Sequence, residues 1–271
     1  MVLFFNAQFS ILLYTVLYMV NNNRPRYCLI GLLLISLAVA VYFNRAYAHI
    51  YKTLGVAGLK PVDYTQTYYL NNMVKNFGLV YVSLGDSLTA GVGADNYQES
   101  YPYLLATKLG GPEQGVVLKD YSLTGAKTSD LLKSLLPAAV SSNPDIVTLL
   151  IGVNDIHNQV SLNDFRNNYE QILDRLTAET TARVYAVSIP FIGADNLMLP
   201  PYQFYFDYQT KRFNAVIKEL ATKYGVEYLD LYTPTLSLFK KSGRHYSADL
   251  FHPSAAGYKI WAEIIYDNIH K

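Results

Sequence analysis

Apolar runs that end in turn residues recur through the C-terminal part of the chain. The first run covers residues 79–84 and ends at Gly85, and the clearest one covers residues 145–151, between Pro144 and Gly152. Short apolar runs bounded by turn residues are typical of buried strands. Three more runs predict strands at 116–121, 183–189 and 226–231, and helical patterns lie at 100–109, 129–140, 162–176, 207–224 and 255–269.

The alternation of five predicted strands with helices favours one class of fold. Such alternation is typical of a parallel sheet with helices on both faces, so we expect residues 77–271 to form a three-layer α/β/α sandwich around a five-stranded parallel sheet. Right-handed crossovers bring the carboxyl ends of parallel strands to one edge, where ligands bind in such sheets. Chemically active residues are therefore expected directly after the strands.

Two longer apolar stretches precede this region, at residues 2–20 and 27–43. The second carries no charge and, at about 1.5 Å of rise per residue, is just long enough for a bilayer core of ~30 Å. Residues 1–48 are accordingly predicted to be a membrane anchor, formed by one transmembrane helix or by a hairpin of two. A cleaved signal peptide, with Ala46 and Ala48 as a small-x-small processing site, and a buried helix pair remain alternatives.

Basic residues around the second stretch bear on its orientation. Arg24 and Arg26 precede it and favour a cytoplasmic connector, which would place everything after Phe43 outside the cytoplasm. Arg45, Lys52 and Lys60 follow the stretch and oppose that arrangement. We expect the extracytoplasmic arrangement.

Composition sets further limits. The chain has 271 residues, enough for one full-sized domain and an additional segment, and residues 49–76 between the two are predicted to be a tether. A formal net charge of +1 excludes a general attraction to nucleic acid. Cys28 is the only cysteine, which excludes an intramolecular disulfide and a thiolate metal cluster. The sequence lacks the glycine-rich phosphate and dinucleotide motifs, and no cofactor is predicted.

Ser87 is the first residue with chemical potential. It lies in Gly85-Asp86-Ser87-Leu88, directly after the first predicted strand, where its hydroxyl could face a ligand. On this tetrapeptide alone, a turn or capping role for Asp86 and Ser87 is the simpler interpretation. A serine hydroxyl becomes an effective nucleophile only with a base within hydrogen-bond reach.

His252 is the candidate for that base. It follows Asp249 by three residues, a spacing that lets the carboxylate hydrogen-bond the imidazole and fix its tautomer. Taken alone, the motif also fits a capping Asp249 beside a partly buried His252. The other four histidines are interpreted as residues near the membrane stretch, at the C-terminus, on the surface or in support of the site: His49, His270, His157 and His245.

Stabilisation of an oxyanion requires hydrogen-bond donors near the serine. Gly125 follows the second predicted strand and can present a backbone N–H, and Asn154 follows the third and can offer its side-chain amide. Each is also an ordinary turn residue by itself. Together with the Ser87 N–H, they would give three donors from three successive strand ends.

The chain resembles the SGNH hydrolase superfamily, the GDSL-type esterases and lipases, over about residues 77–271. Four sequence blocks carry the resemblance, in the order of the family: Gly85-Asp86-Ser87-Leu88, Gly125, Gly152-Val153-Asn154-Asp155 and Asp249-Leu250-Phe251-His252-Pro253.

The resemblance implies a role for each matched polar residue. Ser87 would be the nucleophile, His252 the general base and Asp249 the carboxylate that orients it. The Ser87 amide, Gly125 and Asn154 would form the oxyanion hole. The resemblance also implies that Asp86 and Asp155 support their loops.

The implied activity is cleavage of an ester-linked acyl group through an acyl-enzyme. The apolar content of segment 190–202 favours a lipid or lysolipid ester as substrate, with an O-acetylated glycan as the next candidate. Acyl transfer by the same residues, a catalytically silent glycan- or lipid-binding module and a membrane-assembly component remain alternatives. The apolar segment 190–202 is interpreted as an acyl-chain wall, a membrane-facing surface or a loop packed over its neighbouring helix. A metal site at His245, Asp249 and His252 lacks a matching ligand cluster, and no metal is predicted.

Overall fold

The computed structural model describes residues 25–56, 63–70, 77–111, 114–194, 196–239 and 243–270. The chain separates into two compact units, Met1–Lys52 and Thr53–Lys271.

A single helix, α1 (Pro25–Val56), runs for 32 residues. By length and composition, its stretch Leu29–Leu54 could cross a membrane, because 26 residues correspond to about 39 Å of helix. A signal sequence has the same properties. The predicted helix at 27–43 lies within α1, which continues beyond it, whereas the predicted helix at 2–20 lies outside the described residues. Many large apolar side chains of α1 are exposed, among them Leu29, Ile30, Leu32, Leu33, Leu34 and Leu37.

Six strands form one mixed sheet: β1 (Asp63–Leu70), β2 (Phe77–Gly85), β3 (Gly115–Leu123), β4 (Ile146–Leu150), β5 (Arg183–Val187) and β6 (Glu227–Leu229). Their order is β1-β3-β2-β4-β5-β6. The five strands β2 to β6 are parallel, which confirms the predicted α/β fold. The prediction is corrected at one edge, where β1 pairs antiparallel with β3 and adds a sixth strand from the segment predicted to be a tether.

Helices connect the parallel strands at the predicted positions. They are α2 (Tyr101–Leu109), α4 (Leu136–Ser141), α6 (Leu162–Glu179) and α7 (Tyr202–Tyr224), and α9 (Ala255–Ile269) follows the last strand. The other helices are α3 (Thr128–Asp130), α5 (Val153–His157) and α8 (Tyr232–Phe239), with a π-helical turn at Leu131–Leu135 and 3-10 turns at Tyr97–Glu99 and Gly243–His245.

The strand order creates a switch point at the middle of the sheet. From β2 the chain crosses to β3 on one side, and the later strands β4, β5 and β6 extend the sheet on the other side. Since parallel crossovers are right-handed, α2 covers one face, while α6 and α7 cover the opposite face. Ligands bind beyond the carboxyl ends of strands at such a point, which here lies between β2 and β4.

The core explains why the central strands form. All five residues of β4 are buried, as expected for a strand with helices on both faces. Serines begin two of the covering helices: Ser161 accepts a hydrogen bond from the Asp164 N–H before α6, and Ser254 accepts one from the Gly257 N–H before α9. Rigid packing around β2 and β4 therefore holds the loops at their carboxyl ends.

Candidate active site

The turn after β2 holds Ser87 at the switch point. The Asp86 carbonyl accepts hydrogen bonds from the backbone N–H groups of Thr89 and Ala90, at 3.0 and 2.9 Å, and the Leu88 N–H donates to Asp86 Oδ1 at 2.9 Å. Asp86 thus closes the tight turn that carries the serine, as an Asx residue commonly does. Ser87 itself is only 4% exposed.

His252 contacts Ser87 on one side and Asp249 on the other. Its Nε2 atom lies 3.0 Å from Ser87 Oγ, and its Nδ1 atom lies 2.5 Å from Asp249 Oδ2. A hydroxyl, an imidazole and a carboxylate are therefore in hydrogen-bond contact in series, the arrangement by which a base activates a serine. The structure brings these three predicted residues together.

The Asp249 carboxylate is held at both oxygens. Its Oδ1 atom accepts hydrogen bonds from the Ser247 hydroxyl at 2.7 Å and from the backbone N–H groups of Phe251 and His252, each at 2.9 Å. Burial alone would raise the pKa of this carboxyl, but the hydrogen bonds from His252, Ser247 and Phe251 outweigh it and hold the pKa below its ordinary value. Asp249 is therefore an anion in a fixed position.

The backbone between these residues adopts an uncommon conformation. Leu250 has a φ of 59°, in the left-handed region that costs a non-glycine residue about 1 kcal/mol or more. The turn folds the chain back so that the carboxylate of Asp249 faces both the amide and the ring of His252. The Ala194 N–H donates to the Leu250 carbonyl at 2.9 Å and fixes this turn from outside.

Three donors surround the serine. Gly125, directly after β3, has a φ of 81°, and a Cβ there would meet open space within 4 Å. Within the described part of the chain, the backbone N–H groups of Ser87 and Gly125 have no hydrogen-bond acceptor. Asn154 Nδ2 donates to the Ala126 carbonyl at 3.0 Å, which orients the amide beside Gly125. The three line one cleft, as the sequence predicts.

Asp155 ties two strand ends together. Its two carboxylate oxygens accept hydrogen bonds from the Thr128 N–H at 3.0 Å and from the Thr128 hydroxyl at 2.6 Å. Asn168 donates to the same hydroxyl at 3.2 Å. These contacts link α5, which carries Asn154, to the loop after Gly125.

Asp86 is buried, and only one of its two carboxylate oxygens accepts a hydrogen bond from the described residues. Its Oδ2 atom has no hydrogen-bond partner among the described residues. Burial raises the pKa of this carboxyl to about 7, and the nearby Asp155 carboxylate adds to the rise.

An open cleft of about 280 Å³ lies above these residues. Its lining combines the polar residues of the site with apolar side chains. The lining residues include Ser87, Val92, Thr124, Gly125, Asn154, His157, Asp249, Phe251 and His252.

His157 was predicted to be a surface or supporting residue, and the structure places it in this cleft. Its ring centroid lies 4.7 Å from that of Phe206 and 5.3 Å from that of Phe251. Burial lowers the pKa of His157 to about 4, with a further contribution from the neighbouring His252. The available sequence signal was its position three residues after Asn154, which places both on one face of the same short helix.

The segment 190–202 packs into the protein beside the site. Four of its residues, Phe191, Ala194, Leu197 and Met198, are buried. None of the cleft-lining residues in the described part of the chain belongs to this segment. Of the three predicted interpretations, the packed loop agrees with these buried side chains, and the Ala194 N–H of the segment donates to the Leu250 carbonyl.

Among the described residues, no group of three or more His, Cys, Asp or Glu side chains has the geometry of a metal site. His245 stacks on Phe239, with ring centroids 4.9 Å apart, and does not line the cleft.

Sequence comparison matches this region to one family. The model of the GDSL-like lipase/acylhydrolase family matches residues 83–260. A lipase from Streptomyces rimosus is 38% identical over 86 residues, which cover 28% of this chain and 30% of that lipase. The chain thus spans less than a third of the length of this curated relative.

Solved structures share the fold. The lipase/acylhydrolase from Enterococcus faecalis has a TM-score of 0.57 at 24% identity, covering 71% of this chain and 95% of that one. A catalytic mutant of an acetylxylan esterase from Geobacillus stearothermophilus has a TM-score of 0.58 at 20% identity, covering 71% of this chain and 94% of that one. At these identities the likeness concerns the fold alone.

Proposed function

The chain belongs to the GDSL-like lipase/acylhydrolase family, and from this premise we propose that it is a membrane-anchored serine hydrolase that cleaves ester-linked acyl groups. One observation carries the proposal. The Ser87 hydroxyl, the His252 ring and the Asp249 carboxylate are in hydrogen-bond contact in series, beside an open cleft.

In the proposed first step, Ser87 Oγ attacks the ester carbonyl carbon while its proton passes to His252 Nε2. The carbonyl oxygen becomes an oxyanion and accepts hydrogen bonds from the Ser87 N–H, the Gly125 N–H and the Asn154 side-chain amide. The tetrahedral intermediate then expels the alcohol, which takes the proton from His252, and the acyl group remains on Ser87.

In the second step, water repeats the sequence. His252 removes a proton from the water, whose oxygen attacks the acyl carbon, and collapse of the second tetrahedral intermediate returns the proton to Ser87 Oγ. Asp249 keeps its charge throughout. Its hydrogen bond to Nδ1 fixes the tautomer of His252 and stabilises the imidazolium that forms in both steps.

Asp86 and Asp155 are proposed to support this arrangement without contacting substrate. Asp86 closes the turn that aims Ser87, and Asp155 bonds Thr128 and so holds Asn154 close to Gly125. The substrate is proposed to be a lipid or lysolipid ester or an O-acetylated glycan. The relatives named lipase and acetylxylan esterase support these two classes.

Labelling with a fluorophosphonate probe tests the nucleophile. The full-length protein in detergent should label in its native state and lose labelling in Ser87→Ala. Ser237→Ala is the matched control, because Ser237 is exposed on α8 and its hydroxyl donates to the Pro234 carbonyl at 2.9 Å. Labelling that survives in Ser87→Ala would place the nucleophile elsewhere, and an unlabelled native protein would favour a silent binding module.

The membrane anchor is proposed to be α1, with the catalytic unit on the extracytoplasmic side. The exposed apolar side chains of its Leu29–Leu54 stretch support this. Cys28 is the only cysteine, so Ser237→Cys in a Cys28→Ala background gives a single thiol for an impermeant maleimide on intact cells. External labelling of a protein that resists carbonate extraction is expected, whereas a shortened, freely soluble protein would indicate a cleaved signal.

A further inference from the structure

The imidazole of His157 separates two spaces in the catalytic unit. On one side it lines the open cleft that contains Ser87 and His252. On the other side it lines a second, inner cavity that shares no other residue with the cleft. Phe251, one stacking partner of His157, belongs to the cleft lining, and Phe206, the other partner, belongs to the inner lining.

The inner cavity is too small for an acyl chain as it stands. Its volume is about 10 Å³, which is space for about one water molecule. Its lining mixes polar residues with apolar ones, and the apolar ones are Val153, Ile156, Phe191, Ile192, Met198 and Phe206. The polar residues of its lining include Asp207, which accepts hydrogen bonds from Lys211 and from the Tyr232 hydroxyl.

The open cleft offers limited room for a long chain. Its volume of about 280 Å³ lies just below the range of ordinary ligand pockets, ~300–1,000 Å³. Among the described residues, His157 is the one that lines both this cleft and the inner cavity, so its ring forms the wall between them. An acetyl group fits before this wall, whereas a long acyl chain would have to remain exposed to solvent.

The surroundings and the lowered pKa of His157 suit a steric wall rather than a general acid or base. His157 is packed between two aromatic rings. Its depressed pKa keeps it neutral while the adjacent His252 becomes an imidazolium during turnover. A neutral His157 therefore places no second positive charge next to the His252 imidazolium.

We propose that His157 sets the acyl-chain length that the site accepts: its ring confines the site to acetyl and other short acyl groups and closes off a latent chain pocket whose lining includes six apolar residues. This inference rests on the proposed function, since it assigns the acyl specificity of the same serine site. It favours short-chain esters, such as O-acetylated glycans, over long-chain lipids as substrates.

Hydrolysis of p-nitrophenyl esters with acetyl, butyryl, octanoyl and lauroyl groups tests the proposal, because the leaving group stays constant and only the acyl side varies. The full-length native protein should have a higher kcat/KM for acetyl than for octanoyl ester. In His157→Ala the octanoyl-to-acetyl ratio should rise at least about tenfold, because each methylene that enters apolar surroundings contributes ~0.8 kcal/mol, or about fourfold.

Two further variants distinguish a steric role of the His157 ring from a chemical role of its nitrogens. His157→Phe restores the bulk without the nitrogens and should keep the native ratio, and His157→Val provides a second opening should the alanine variant not fold. Tyr208→Ala is the surface control, since Tyr208 is 59% exposed on α7, and its ratio should equal the native one.

The outcomes distinguish the two proposals. A native protein that hydrolyses esters but prefers octanoyl, or folded His157→Ala and His157→Val variants with an unchanged ratio, would overturn only the role of His157. A native protein that hydrolyses none of the four esters and does not label at Ser87 would overturn the proposed function, and this inference with it.

Discussion

The Nε2 atom of His252 lies 3.0 Å from the Oγ atom of Ser87, although 165 positions separate the two residues in the chain. The parallel sheet makes this contact possible. Ser87 follows β2 at the middle of the sheet, and the loop that carries His252 immediately precedes α9. The packing of α9 against α2 brings that loop back over the carboxyl end of β2.

Replacement of Asp249 by asparagine tests the orienting carboxylate. Asp249→Asn should lower kcat on the order of 10³ to 10⁴-fold, because an uncharged amide neither fixes the His252 tautomer in the same way nor stabilises the imidazolium. Steady-state kinetics with an acetyl ester measures the change. Ser247→Ala removes only one hydrogen bond to Asp249 Oδ1 and should cost much less, while equal losses in both variants would indicate damage to the turn.

Asn154→Ala should lower kcat by about 10²–10³-fold with a much smaller effect on KM, because an oxyanion donor acts mainly in the transition state. The neighbouring Asn158→Ala is the matched control. Asn158 is exposed, and its side-chain amide donates to the Asn154 carbonyl at 2.7 Å without lining the cleft. A near-native kcat in Asn154→Ala would remove this residue from the oxyanion hole.

The lowered pKa of His157 makes the free energy of unfolding depend on pH in the acid range. Burial, with a smaller contribution from His252, lowers this pKa from 6.5 to about 4, so the unfolded chain binds a proton more readily than the folded one between these values. The stability associated with neutral His157 is therefore complete above pH ~6.5 and lost as the pH falls to about 4. The loss amounts to at most about 3 kcal/mol.

Urea unfolding at pH 4, 5, 6.5 and 8 measures this dependence. His157→Phe should flatten the acid limb of the stability curve, since phenylalanine does not titrate. His270→Ala, at an exposed position near the C-terminus, should leave the limb as it is. Parallel curves for the native protein and His157→Phe would contradict the assignment.

Asp120 should affect stability in the opposite direction. Burial raises the pKa of this β3 carboxyl to about 7, against the lowering effect of hydroxyl hydrogen bonds that include those from Ser83 and Ser122. Its contribution is complete below pH ~3.8 and lost as the pH rises through about 7. The stability deficit of Asp120→Asn should therefore shrink, by at most about 4 kcal/mol, between pH 4 and 8. Asp95→Asn, at an exposed position, should show no such trend, and a constant deficit in Asp120→Asn would refute the account.

The parallel part of the fold could be predicted because its strands carry a local signal. Ile146–Leu150 is apolar throughout and bounded by Pro144 and Gly152, and burial of the strand on both faces requires that composition. The strand β1 was missed because it is polar, Asp-Tyr-Thr-Gln-Thr-Tyr-Tyr-Leu, as an edge strand can be. Its tyrosines and threonines are good strand formers, and they were the signal available.

The meeting of Ser87, Gly125 and Asn154 at one cleft could be predicted for a topological reason. Each follows a parallel strand, and those strand ends share an edge. The position of His157 could not be predicted in the same way, because its surroundings depend on Phe206 in α7 and Phe251 in the Asp249 turn, both distant in sequence. An isolated histidine in the sequence does not identify such partners.

The antiparallel pairing of Asp63–Leu70 with β3 has a practical consequence for anyone who prepares a soluble fragment of this chain. A fragment begun at residue 77, where the sequence suggests that the domain starts, would leave the outer backbone groups of β3 open to pairing with another molecule. Such a fragment would tend to self-associate, whereas one begun before Asp63 keeps that row of hydrogen-bonding groups capped by its own polar strand.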